Sequence, residues 1–149
     1  MKSTWIVAAD ASRARVLQVS GREQRLEEIE DLLNPEGRMH DRELVSDSLG
    51  RWSGPDRPGG NSMPDPVSPS EHVVQAFAKR VGTYLDKART DHRFEALVLV
   101  APPKFLGTLR RELTKEVEKL VVRELPKDLS SLSARELEGW LAKESERGP

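Results

Sequence analysis

Cysteine is missing from the 149-residue chain, which removes disulfide frameworks, thiolate metal sites and cysteine nucleophiles together. Aromatic residues are scarce, three Trp, one Tyr and three Phe, and with 36% apolar residues there is material for one compact core and not for two. The chain therefore reads as one domain over residues 1–149. Neither sign of charge is in excess. The 24 Lys and Arg face 25 Asp and Glu for a formal charge of -1, so contact with nucleic acid or an anionic membrane has to come from a local patch. Long apolar runs are absent too. The stretch Trp5-Ile6-Val7-Ala8-Ala9 stops at Asp10, too short for a signal peptide or a membrane span, which makes the cytoplasm the expected location and gives no membrane partner. Nucleophile-elbow, P-loop and dinucleotide-binding patterns do not occur, and apart from the local His40-Asp41 pair His40, His72 and His92 have no companions at metal-ligand spacing. Neither a metal nor a cofactor is expected.

The residues that are present alternate over the first thirty positions. Thr4, Ile6 and Ala8 share one face of a strand and Trp5, Val7 and Ala9 the other, so both faces are apolar and the strand belongs in mid-sheet. Asp10-Ala11-Ser12 makes a turn, Ala14 to Val19 a second strand, and Arg25 to Leu32 a third. The third stretch also has helical spacing, but a three-stranded meander is the preferred reading. The window Gly50–Pro69 holds five of the ten Pro and four of the ten Gly, which predicts a long loop, mobile at about 46–66, and makes it the first place to look for activity. Ser68-Pro69-Ser70-Glu71 then starts a helix that runs to about Ala88, with Val74, Phe77, Val81, Tyr84, Leu85 and Ala88 on one face. Phe94–Val100 is a buried strand. Pro102 and Pro103 open a second helix with the stripe Phe105, Leu106, Leu109, Leu113, Val117 and Leu120. A fifth strand falls within Leu120–Leu125 and a last helix over Leu132–Leu141. The fold class is α/β, a mixed five-stranded sheet in the order β-β-β-loop-α-β-α-β-α flanked by helices, as in ribonuclease H-like folds.

That order raises the question of a two-metal nuclease, which needs carboxylates from several neighbouring elements. Asp10 and Glu71 are available, but Ala96–Ala101 carries no acid before Pro102, and the set is incomplete. Asp10 reads instead as a turn residue whose carboxylate caps the amides of Ser12 or Arg13. The best nucleic-acid surface is Lys104–Lys127, seven basic residues against four acidic, with Arg111, Lys115 and Lys119 on one helical row and Lys104 at the start. The opposing reading is a solvated face in which Glu at i+4 spacing pairs the bases. The long loop is net acidic, yet Arg51 and Trp52 in it could stack on unpaired bases.

Three groups of residues carry a resemblance. Trp5–Arg15, the run Leu26–Arg38 with Asp41–Asp47, and Leu97–Gly107, whose block Ala101-Pro102-Pro103-Lys104-Phe105-Leu106-Gly107 is the most specific part, resemble the bacterial host attachment protein family, "protein required for attachment to host cells". Lys127-Asp128-Leu129 extends the likeness to almost the whole chain. That family is in turn similar to the central domain of archaeo-eukaryotic release factors, which implies the translation-machinery-component type of ribonuclease H-like sheet. In those factors a Gly-Gly-Gln loop helps place water on the peptidyl-tRNA ester. Here Gly59-Gly60-Asn61 stands in the corresponding loop, with a side chain one methylene shorter. The resemblance implies, in order, a non-enzymatic module bound to ribosome or tRNA, a protein promoting attachment to host cells directly or indirectly, and a peptidyl-tRNA ester hydrolase. Self-association as a homo-oligomer stays open.

Overall fold

The computed structural model describes residues 3–21, 24–36 and 70–147. The loop expected to be mobile at about 46–66, with Arg51, Trp52, Gly59, Gly60 and Asn61, lies outside them.

Three strands, β1 (Thr4–Asp10), β2 (Arg13–Ser20) and β3 (Arg25–Leu33), form the meander. The β1–β2 turn is set by Asp10, whose Oδ1 accepts from the Ser12 amide at 2.9 Å and the Ser12 hydroxyl at 3.0 Å, the turn role its position predicts. Helix α1 (Glu71–Thr90) starts at Ser70, whose hydroxyl accepts from Val73 N, and runs two residues beyond the expected end. Strand β4 (Ala96–Val100) follows.

The expected second helix is two. α2 (Pro103–Glu112) ends where Leu113 turns extended with ψ 144, and Thr114 caps α3 (Lys115–Leu120) by accepting from Val117 N at 3.1 Å. Thr114 also donates to Asp86 Oδ1 on α1, so the break is tied to the neighbouring helix. Strand β5 (Val121–Leu125) leads through a loop to α4 (Ala134–Arg147). A capping box opens α4, Ser133 N donating to Glu136 Oε1 and Glu136 N to Ser133 Oγ.

The sheet order is β3-β2-β1-β4-β5, antiparallel across the meander and parallel for β1-β4-β5. Alternation along the strands gives each face its own core. Trp5, Val7, Val16, Leu97 and Leu99 meet Phe77 and Val81 of α1, Phe105, Leu106 and Leu109 of α2 and Val117 of α3 on one side. Ile6, Ala8, Leu17, Val100 and Leu125 meet Leu137 of α4 on the other. Both edge strands carry a one-residue irregularity, at Ile29 in β3 and at Val122 in β5, a local bend of the kind that discourages strand addition.

Gly82 fixes how closely α1 and α2 approach. A Cβ there would lie 2.6 Å from the Glu112 carbonyl oxygen. Trp5 anchors the first core at the other end, stacked on Phe94 at 5.0 Å and beside Tyr84 at 6.2 Å, with the Arg93 guanidinium over its ring.

Candidate functional site

Parallel strands of an open sheet leave a crevice at their carboxyl ends where the chain departs in opposite directions. Here β1 turns back into β2 on one side, while β4 leads through α2 and α3 to β5 on the other, so the switch point lies between Asp10 and Pro102. A cleft of about 740 Å³ opens there. Asp10, Ala11 and Ser12 form one wall, Glu71, Val74 and Gln75 of the first turns of α1 another, and α2 from Pro103 to Glu112 the third.

The α2 wall is the distinctive one. Lys104, Gly107, Thr108 and Arg111 follow one another at i, i+3, i+4 and i+7, so one stripe of the helix faces the cleft along two turns. Lys104 and Arg111 are exposed, and neither is ion-paired with a described residue. The start of α2 has no side-chain cap and no acid in its first turn, so Lys104 adds a positive charge to the positive end of the helix dipole. The acids of the cleft are mostly committed. Asp10 Oδ1 holds the turn, its Oδ2 accepts from the Ser130 hydroxyl at 3.0 Å, and Glu112 accepts from Gln75 Nε2 at 3.4 Å. Glu71 sits at the start of α1, where the dipole favours it. On the α2 wall itself Lys104 and Arg111 outnumber Glu112, while Asp10 and Glu71 place negative charge on the other two walls.

Gly107 sharpens the picture. A Cβ at this mid-helix position would meet nothing within 4 Å, so the fold does not need the glycine, which costs about 1 kcal/mol relative to Ala in a helix. Its place on the cleft keeps the α2 surface open to close approach.

Of the basic residues expected to act together, the structure brings Lys104 and Arg111 to this cleft. Lys115 and Lys119 belong to α3, outside its lining, because the break at Leu113 and Thr114 interrupts the helical row assumed for them with Arg111. None of Lys104, Arg111, Lys115 and Lys119 is salt-bridged to a described residue; Arg110 is, to Glu124 across to β5 at 3.3 Å. Gly59, Gly60, Asn61, Arg51 and Trp52 lie outside the described residues. Among the described residues no group of three or more His, Asp or Glu could hold a metal ion.

Sequence reasoning passed over the network behind the cleft. Arg15, 4% exposed in the middle of β2, donates through Nε and Nη2 to Glu28 and through Nη1 to the Ser130 and Leu132 carbonyls. Ser130, also buried, places its hydroxyl between Asp10 and Asp128, its one proton within reach of either carboxylate. The loop before α4 is thus clamped to the strands whose turn forms the cleft wall. An arginine inside an apolar strand run was the signal for it. On the outer surface Asp31 forms a bidentate pair with Arg13 and raises the guanidinium pKa.

A mixed five-stranded sheet flanked by helices, with a crevice at its switch point, defines an α/β domain whose cleft opens at the carboxyl ends of its central strands. The chain belongs to the family described as "Protein required for attachment to host cells", which matches residues 5–141. Among solved structures it is similar to the Aquifex aeolicus Ppx/GppA phosphatase, type II variant, at 11% identity and a TM-score of 0.39 over 84% of this chain. It spans 35% of that longer chain. No curated protein matches it. No helix among the described residues is long and apolar enough to cross a membrane.

Proposed function

We propose that this host-attachment family protein is a non-enzymatic binding module that takes RNA backbone phosphates into the switch-point cleft, with Lys104 and Arg111 as anchors. One observation carries the reading: the two exposed cations lie on the same stripe of α2, next to an uncapped helix start and around a glycine that leaves room. A phosphate at the helix start accepts from free backbone amides beside Lys104, and a second along the strand pairs with Arg111, one negative charge to each cation. The strand order β3-β2-β1-β4-β5 supports the finer assignment of the sheet to the ribonuclease H-like type. Resemblance to release-factor central domains makes ribosomal or transfer RNA the source of phosphate to test first.

Sedimentation of the tagged protein through a sucrose gradient tests it. Co-migration with ribosomes at about 50 mM salt and loss at about 200 mM is the expected result, and Lys104→Gln with Arg111→Gln abolishes the co-migration. Wild-type protein that stays at the top of the gradient at both salts contradicts it. The family description supports a second reading, promotion of attachment to host cells, directly by protein displayed on the bacterial surface or indirectly from within. Protease shaving of intact cells separates the two: loss of the protein supports display, and survival until lysis opposes it.

A further inference from the structure

The sheet face opposite α1–α3 carries a single described helix, α4, which does not cover it all. Between α4 and the sheet lies a groove of about 770 Å³, within the range of roughly 300–1,000 Å³ typical of small-molecule sites. Its floor is apolar: Ile6 and Leu26 are buried, Val19 and Val98 half-buried, and they come from four adjacent strands. Gly139 and Ala142 of α4 form the facing wall. A Cβ at Gly139 would meet nothing within 4 Å, so packing inside this chain does not call for a glycine that costs about 1 kcal/mol in a helix. Of the described helical glycines, Gly82 is demanded by a neighbour, whereas Gly107 and Gly139 each border a cavity.

Chemistry at the rim selects the occupant. Among the described residues of the lining, Arg135 is exposed and not ion-paired with a described residue, while the acid Glu138 is turned to the Leu26 amide at 2.7 Å. An anionic head group fits beside Arg135. The floor is a sheet face and not an edge, so its strand backbones are already paired with one another. A peptide laid on it would lose hydrogen bonds to water without replacement, whereas a hydrocarbon tail has none to lose.

We propose that this groove binds one long-chain acyl anion, its tail along Ile6, Val19, Leu26 and Val98 and its carboxylate at Arg135. Calorimetric titration of the full chain with dodecanoate below its micelle threshold tests the proposal. Saturable binding of one molecule per chain is expected, weakened at least about tenfold by Arg135→Glu. Gly139→Trp, which fills the open space, abolishes binding, and Ala142→Phe does so if the Trp variant fails to fold. Absence of saturable binding overturns the proposal, as does dodecylammonium binding as tightly as dodecanoate. Binding that survives both fillers but is lost with Lys104→Gln and Arg111→Gln places the anion in the other cleft and also overturns it. So does a wild-type dimer that the fillers convert to monomer, since the groove would then be a self-association surface.

Discussion

Arg15 concentrates several constraints in one side chain. It is buried in β2, yet every polar contact it makes is to another element, Glu28 on β3 and two carbonyls of the loop before α4. Replacing it by Met keeps most of the volume and strands the carbonyls and the carboxylate, at a cost of about 2–4 kcal/mol in denaturant unfolding, reduced because Glu28 stays partly in water. The glycines differ in the same assay. Gly82→Ala drives a methyl against the Glu112 carbonyl oxygen and costs about 1–3 kcal/mol. Gly107→Ala has open space and raises stability by about 0.5–1 kcal/mol while narrowing the cleft. Tyr84 supplies a pH test. Its hydroxyl is buried without a well-aligned hydrogen-bond partner, and burial raises its pKa above 10.0 despite the nearby Arg93. Because the folded state favours the neutral phenol, this contribution is complete below the unfolded value and is lost as pH rises through the folded one. As the chain has one tyrosine, phenolate absorbance reads it directly, and the folded protein should titrate at higher pH than the urea-unfolded chain.

Elements with a strong local signal were legible in the sequence. The bounds of β2 and β3 to within one residue at each end, the Ser70 cap, the Pro126 stop after β5 and the apolar face of α1 follow from alternation, capping chemistry and spacing. The split between α2 and α3 was not, because Leu109, Leu113 and Val117 keep helical spacing across the break and all three pack on the first core or within it. Thr114 marks the stop, by the local cap on Val117 N and by the tertiary bond to Asp86. Thr114→Ala, which removes both cap and tie, should cost about 1–2 kcal/mol, and Thr114→Ser should recover most of it. Ile6, by contrast, follows its pattern: alternation puts it on the face opposite Val7, and it packs on the α4 side while Val7, Leu97 and Leu99 meet α1 and α2. For the cleft, the charges Lys104 and Arg111 could be picked from sequence. Their walls, Ser12 and Gln75, could not, since those residues meet only when the sheet and both helices are assembled.

For the whole molecule, neutral net charge and a localised positive wall belong together. With a formal charge of -1, long-range attraction to a polyanion is weak, and affinity has to come from the few cations that touch it. Fluorescence anisotropy with a labelled single-stranded RNA across a salt series counts those contacts, because the log-log slope changes by about 0.7 per phosphate neutralised on a single strand. The variant carrying Lys104→Gln and Arg111→Gln should show a slope shallower by about 1.4, with Lys115→Gln and Lys119→Gln together leaving the slope unchanged. An unaltered slope in the first variant, or loss of slope in the second alone, contradicts the assignment of the cleft.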